Sequence, residues 1–372
     1  MDGRCSQELM DLSAKLMIGR IYMNKPKICV LHAQVPFVRG GAELLVENLT
    51  KELNKRNFDA ELVALPYKWY PNNSLIDSVL AWRMIDLTES NGNKIDMVIS
   101  TKFPTYAIKH DNKVLWLMHQ FREAYDLCDN KDYAGLNTIP GGADTRKKIE
   151  EMDNRLIPEA KAIYSISKNV SNRLKRFNNI DSIPLYHPPT HVGKYWSENY
   201  ENYILSVGRL DLKKRVDLLI QSLPYCDKTV NAYIAGRGPE LEKLKKLAHD
   251  LKVDNRVKFL GFVNDEDLLK LYANAFAVYF APVDEDYGYI TLEALLSKKP
   301  IVTCSDSGGV LEFVEDERSA YITDANEAEV GEKINTLFNN KLRCKEMGQY
   351  GYSKVKDISW DDVIDKLTYT IR

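Results

Sequence analysis

The sequence predicts an α/β protein built of two Rossmann-like domains that face each other across a cleft. Three observations predict it. At 372 residues the chain is too long for one typical domain. Short apolar runs alternate with amphipathic helical stretches, the rhythm of a parallel sheet covered on both faces. That rhythm pauses at the proline-bearing stretch Ile183-Pro-Leu-Tyr-His-Pro-Pro-Thr190 and then restarts.

Taken in order, residues 1–24 read as an N-terminal extension. Residues 25–190 form the first domain, with strands at Lys27–Ala33, Ala60–Leu65, Asp96–Ser100, Lys113–His119 and Ala162–Ser167. Gly40–Leu53 reads as its first helix because Leu45, Leu49 and Leu53 share one face. Residues 191–355 repeat the pattern. Strands are expected at Tyr203–Gly208, Val230–Ala235, Val257–Leu260, Ala275–Pro282, Pro300–Cys304 and Ala320–Thr323, with helices at Arg215–Leu223, Glu240–Leu251 and Asp265–Asn274. Residues 356–372 are expected to form a C-terminal helix that packs back on the first domain.

Composition removes several function classes. Hydrophobic residues at 44% and charged residues at 28% are ordinary for a globular chain, and a net charge of -2 gives no reason to expect nucleic acid. The six cysteines are scattered without metal-ligand spacing and fit a reducing cytosol. No apolar stretch is long enough to span a membrane, and the first residues lack a signal peptide's apolar core. A cytoplasmic protein is expected. Arg146-Lys-Lys148 and Arg173, Lys175 and Arg176 read either as solvated helix faces or as contacts to an anionic membrane or a phosphate-bearing acceptor.

In doubly wound sheets ligands bind beyond the carboxyl ends of the strands, so the chemistry is sought there. Arg209 and Lys214 bracket a short loop that opens a helix; they suit a diphosphate, although two surface cations would look the same. Gly236-Arg-Gly-Pro-Glu240 lacks the later glycine of the dinucleotide fingerprint and by itself marks a tight turn. Gly40 and Gly41 let a ligand approach the backbone at a helix start, or simply satisfy a turn. His119 projects from a strand end toward the cleft. Ser307-Gly-Gly-Val310 ends another strand within reach of a sugar or phosphate. In Val283-Asp-Glu-Asp-Tyr-Gly-Tyr-Ile-Thr-Leu-Glu-Ala-Leu295, Glu285 lies on the loop and Glu293 about one and a half turns into a helix that starts near Tyr287.

These pieces, in this order, resemble the retaining glycosyltransferases of family 4, also called glycosyl transferases group 1, which have the GT-B fold. The resemblance covers nearly the whole chain from Lys25 and is strongest from Tyr203 to about Thr323. It implies that Arg209 and Lys214 hold the donor diphosphate and stabilise it as it leaves. It implies that Gly40, Gly41 and Gly236 admit the nucleotide, that Glu285 accepts hydrogen bonds from donor-sugar hydroxyls and that Glu293 binds the ribose. The backbone of Tyr287, Gly288, Tyr289 and Ile290 is expected against the sugar and phosphates, Phe262 beside the base and His119 close to the donor sugar. Arg215 departs from the family's usual glycine, and Tyr287 from its common phenylalanine.

The expected reaction moves a sugar from a UDP- or GDP-sugar to a hydroxyl of a glycan or lipid-linked acceptor, with retention and with no cofactor or metal. Cations already stand where a metal would serve, so Asp284-x-Asp286 is not read as a metal pair. The partners expected are the sugar-nucleotide donor, the acceptor and peripherally the inner face of a membrane, in polysaccharide or glycolipid assembly. Rival readings are a nucleotide-sugar epimerase of the same architecture, a non-catalytic sugar-nucleotide sensor, and a glycoside hydrolase using Glu285 and Glu293. Acceptor choice is expected to lie in the loops 65–83 and 121–145.

Overall fold

The computed structural model describes residues 25–371; the expected extension, residues 1–24, lies outside the described residues. Two six-stranded sheets, each wholly parallel, organise the chain. The first comprises β1 (Lys27–Gln34), β2 (Asp59–Pro66), β3 (Met97–Ser100), β4 (Lys113–Leu117), β5 (Ala162–Ser165) and β6 (Ile183–Pro184) in the order β2-β1-β3-β4-β5-β6. The second comprises β7 (Tyr203–Val207), β8 (Asn231–Ala235), β9 (Val257–Gly261), β10 (Ala277–Tyr279), β11 (Ile301–Cys304) and β12 (Ala320–Thr323) in the order β9-β8-β7-β10-β11-β12. The strand order reverses between β1 and β3 and between β7 and β10. At such a switch point neighbouring loops diverge and leave a crevice beyond the strand ends.

The strands are apolar runs because both sheet faces are covered. In β1 every residue from Ile28 to Ala33 is buried. The helix α1 (Gly41–Lys55) covers it with Leu45, Val46, Leu49 and Leu53. Two further first-domain helices are α2 (Asn73–Met84) and α3 (Gly142–Leu156), and α4 (Lys168–Asn178) starts on the Ser167 side chain, which accepts from the Val170 N–H. In the second domain α5 (Val216–Ser222) follows β7, and α6 (Leu241–Asp250), α7 (Asp265–Asn274) and α8 (Tyr289–Leu296) follow the next three strands.

The proline-bearing connection differs from expectation at one point. Ile183 and Pro184 pair with Tyr164 and Ser165 as a sixth strand. Proline is tolerated there because β6 is an edge and needs no ladder donor on its outer side. Two helices of the second domain, α9 (Glu327–Phe338) and α10 (Lys341–Val355), lie beyond the last expected strand. The chain then returns to the first domain as α11 (Trp360–Leu367). Trp360 packs edge-on to Trp116 with ring centroids 6.3 Å apart, and Arg56 Nε donates to Asp361 Oδ1 at 2.7 Å. No described helix is long and apolar enough to cross a membrane.

Candidate active site in the interdomain cleft

The loops after β7 and β8 touch because two glycines permit it. A Cβ on Gly236 would lie 1.8 Å from the Gly208 carbonyl oxygen, and both glycines have φ near 140° (139° and 146°), which L side chains rarely adopt. From this junction Arg209 projects outward, 66% exposed, its nearest carboxylate Asp211 at 4.0 Å. One turn later Lys214 Nζ reaches Glu285 Oε2 at 2.5 Å across the switch point. The chain passes from Lys214 into α5 through Arg215 at φ 48°. That left-handed conformation explains why glycine is usual at this position. The Arg215 side chain turns away from the cleft: Nη1 donates to Asp306 Oδ1 at 2.6 Å, and its carbonyl accepts from the Tyr279 hydroxyl at 2.8 Å.

Two cavities open at this junction. One, of about 260 Å³, joins His119, Arg122 and Glu123 of the first domain to Lys213, Lys214 and Glu285 of the second. The other, of about 460 Å³, lies between Phe37 and Arg39 on one side and Arg209, Gly236 and Phe262 on the other. Phe262 is 72% exposed, with the Arg237 guanidinium 5.9 Å from its ring centre, which leaves ring surface for a flat group. Burial pushes the His119 imidazole below its usual pKa, with Asp286 opposing; its Nδ1 lies 2.7 Å from the Gln120 carbonyl. Burial also raises the Glu123 carboxyl, while Lys213 and Arg122 oppose it.

The structure brings Arg209, Lys214, Glu285, His119, Gly236 and Phe262 around these two cavities. It places the other expected residues differently. Helix α8 begins at Tyr289 instead of near Tyr287, because Gly288 caps it at φ 81°. Glu293 is therefore one turn in, and it lines neither cavity. Its carboxylate accepts from the Tyr272 hydroxyl at 2.7 Å, and burial raises its pKa. The Tyr287 ring turns away from the cleft and stacks on His187 at 4.1 Å, its hydroxyl donating to the His187 carbonyl at 2.5 Å. Tyr289 faces the first domain, where a Cβ on Gly41 would lie 3.4 Å from its ring. Ile290 is half-buried against the core. Gly40 donates its N–H to Glu43 Oε2 at 2.7 Å. Gly308 and Gly309 press on the Glu285 loop itself: Gly309 N–H donates to the Glu285 carbonyl at 2.7 Å.

Two groups of residues were not expected. Glu43 is buried beside His32 (3.2 Å) and Lys102 (3.9 Å). Burial opposes its ionisation, but the His32 contact, Lys102 and the Gly40 N–H hold its pKa down to about 2. This carboxylate supplies the negative charge that the start of α1 favours. The second group corrects the reading of Arg173 as part of a surface basic cluster. Its side chain is 5% exposed and donates to Asp286 Oδ1 at 2.6 Å. Arg122 joins it on the same acidic pair. A sequence signal existed: two carboxylates flank Glu285 on a strand-end loop that faces the other domain, where cations can reach them.

Residues 192–354 match the family model described as glycosyl transferases group 1. Over 119 residues the chain is 40% identical to an uncharacterized glycosyltransferase of Methanocaldococcus jannaschii, across 32% of this chain and 30% of that protein. The chain thus spans less than a third of the length of that relative. A longer match of 308 residues at 23% identity joins it to an alpha-1,3/1,6-mannosyltransferase of Dictyostelium discoideum, across 72% of each chain. The crystal structure of an Anabaena protein in complex with UDP and glucose has the same fold, with a TM-score of 0.68 at 17% identity over 92% of this chain and 99% of that one. The architecture is GT-B, two Rossmann-like domains across a cleft.

Proposed function

We propose that this chain, with its glycosyl transferases group 1 domain at residues 192–354, is a retaining glycosyltransferase that moves a hexosyl group from a UDP- or GDP-sugar to a hydroxyl of a glycan or lipid-linked acceptor. One observation carries the reading: Lys214 and Glu285 meet at 2.5 Å at the switch point of the second sheet, facing His119 of the first. A cation for phosphate and an acceptor for sugar hydroxyls stand side by side where a ligand enters.

The barrier in such a transfer lies in parting an oxocarbenium-like sugar from a diphosphate. Arg209 and Lys214 supply positive charge where the leaving oxygens gain negative charge, and Lys214, held by Glu285, needs little reorganisation. Glu285 accepts from the sugar hydroxyls and keeps Lys214 aligned. Phe262 offers its exposed face to the base. Glu293, whose carboxylate accepts from the Tyr272 hydroxyl, is assigned the ribose. The backbone at the start of α8, freed by Gly288, presents donors to the phosphates. His119, kept neutral by burial, contacts the sugar without adding a cation. The acceptor attacks on the face the diphosphate leaves, so a leaving phosphate oxygen takes the proton and no protein base is assigned.

No metal has a part in this scheme, because Arg209 and Lys214 take its role and Asp284 and Asp286 are held by guanidinium groups. The reaction is placed in the cytoplasm, on acceptors reached from the inner face of a membrane. The test is a transfer assay with labelled UDP- and GDP-sugars and a panel of glycan and lipid-linked acceptors, with and without chelator. An α-linked product from an α-linked donor, formed equally in chelator, supports the reading. Conversion of the sugar nucleotide without acceptor would make it an epimerase, and strict metal dependence would sink the scheme.

A further inference from the structure

We propose that Arg122 and Arg173 are positioning residues for the donor sugar, and that they tie its recognition to closure of the cleft. The inference rests on the glycosyltransferase reading of the site.

Glu285 sits in a loop of the second domain whose hydrogen-bond partners lie mostly in the first. Asp284 Oδ2 accepts from Arg122 Nη2 at 2.5 Å and from Arg173 Nη2 at 3.0 Å. Asp286 Oδ1 accepts from Arg173 Nη1 at 2.6 Å. The three successive carbonyls are taken as well. Arg122 Nη1 donates to Asp284 at 2.9 Å, Asn169 Nδ2 to Glu285 at 3.0 Å, and the Ser167 hydroxyl to Asp286 at 2.5 Å. Within this clamp Asp284 adopts φ 43°, a conformation that a non-glycine residue keeps only when its surroundings over-determine it.

The two arginines are committed to the loop. Arg122 and Arg173 are 11% and 5% exposed, and among the described residues their only other carboxylate is Asp126. Burial works against ionisation of Asp286, but Arg173 and then Arg122 outweigh it and keep the carboxylate charged. Guanidinium forks fix direction as well as charge. With both flanking residues fixed from the opposite domain, the Glu285 side chain can point only at Lys214 and the cavity. When the domains part, the loop keeps only its own-domain anchors, among them the Ser307 carbonyl, the Gly309 N–H and Lys214, and Glu285 is aimed less strictly. Arg209, the outward cation of the diphosphate site, has no contact with the clamp: its nearest carboxylate is Asp211.

The experiment separates the two halves of the donor. Affinities for UDP, GDP and their glucose, galactose, N-acetylglucosamine and mannose derivatives are measured by calorimetry in wild type, Arg173→Gln, Arg173→Lys, Arg122→Lys and Arg209→Ala. Melting temperatures of the unliganded proteins accompany them. Arg173→Gln is expected to keep diphosphate affinity within about twofold, while the ratio of sugar-nucleotide to diphosphate affinity falls roughly tenfold, the scale of a lost hydrogen bond to a charged group. Arg173→Lys, which keeps charge without the fork, recovers part of that ratio. Arg209→Ala loses both ligands. A lowered melting temperature with an unchanged ratio in all three clamp variants shows that the arginines only join the domains, and overturns the inference. A wild-type protein that binds none of these probes overturns the glycosyltransferase reading, and the inference with it.

Discussion

Lys214 and the residue after it show how one position divides its labour. Lys214 turns into the cleft against Glu285, and Arg215 turns out onto Asp306 while its backbone bears the left-handed turn. In the proposed transfer, removing the inward cation removes charge stabilisation that matters most in the transition state. Lys214→Ala is expected to lower turnover about 100-fold, roughly 3 kcal/mol of transition-state stabilisation, with little change in melting temperature; unchanged kcat would contradict its assigned role. Asp153 on α3 is fully buried and accepts from the hydroxyls of Tyr106 at 2.6 Å and Tyr125 at 2.7 Å. Burial raises its pKa to about 7, although both hydroxyls oppose the rise. In the unfolded chain the group titrates near the ordinary aspartate value, so its folded pKa is the higher one. The stability this proton gives is fully present below the unfolded pKa and is lost as pH rises through the folded pKa. Asp153→Asn should therefore gain on wild type by on the order of 2 kcal/mol between about pH 5 and about pH 8. Urea titrations at the two pH values check this, and a constant difference between the proteins would refute it.

At the scale of elements, glycines set where helices start and how closely loops approach. Gly288 is the clearest case. A Cβ there would meet Val310, Thr291 and Phe280 at 3.1 to 3.3 Å in addition to the strain at φ 81°. Gly288→Ala is expected to cost about 1–2 kcal/mol in denaturant titration and to weaken nucleotide binding by tilting the start of α8. Stability equal to wild type would mean that another feature fixes that start. Much at this scale was legible in the sequence. The strands β1, β2, β7, β8 and β9 are apolar runs bounded by polar turns, and α1 shows its leucine stripe without help from the fold. The start of α8 was misplaced because Tyr287 has ordinary helical chemistry, and only the three-dimensional packing of Gly288 reveals the break. Helices α2 and α3 escaped notice because their faces mix apolar and charged residues, as in Asn73–Met84 and Gly142–Leu156. The paired glycines Gly308 and Gly309 read as a ligand approach but admit the Glu285 backbone instead. For the site, the strand-end rule located Arg209, Lys214 and Glu285. The partners of Asp284 and Asp286 were hidden because Arg122 and Arg173 are more than a hundred residues away in sequence, and periodicity carries no information at that range.

For the molecule as a whole, the two domains are less separate than two sheets suggest. A single apolar cluster runs from β1 and β4 through Tyr287, Leu292 and Trp360 to the first face of the second sheet. His187, buried where the chain changes domain, lies between Tyr287 and Trp360, and Glu312 of the second domain accepts the Lys168 and Asn169 N–H groups at the start of α4. The returning helix α11 thus braces the junction from which the cleft opens. Trp360→Ala should lower unfolding free energy by about 3 kcal/mol, read from denaturant midpoints, and should loosen both domains together. Loss confined to the first domain would show that the shared core does not couple them. The central claim remains that the cleft between Arg209, Lys214, Glu285 and Phe262 holds a nucleoside diphosphate sugar. It is tested most directly by calorimetric titration of UDP and GDP and their hexose derivatives into wild type and Arg209→Ala, in chelator throughout. One nucleotide class is expected to bind saturably with one site per chain, and the binding is expected to be lost or weakened at least tenfold in Arg209→Ala. Absence of binding in wild type, or equal binding by the variant, would contradict it.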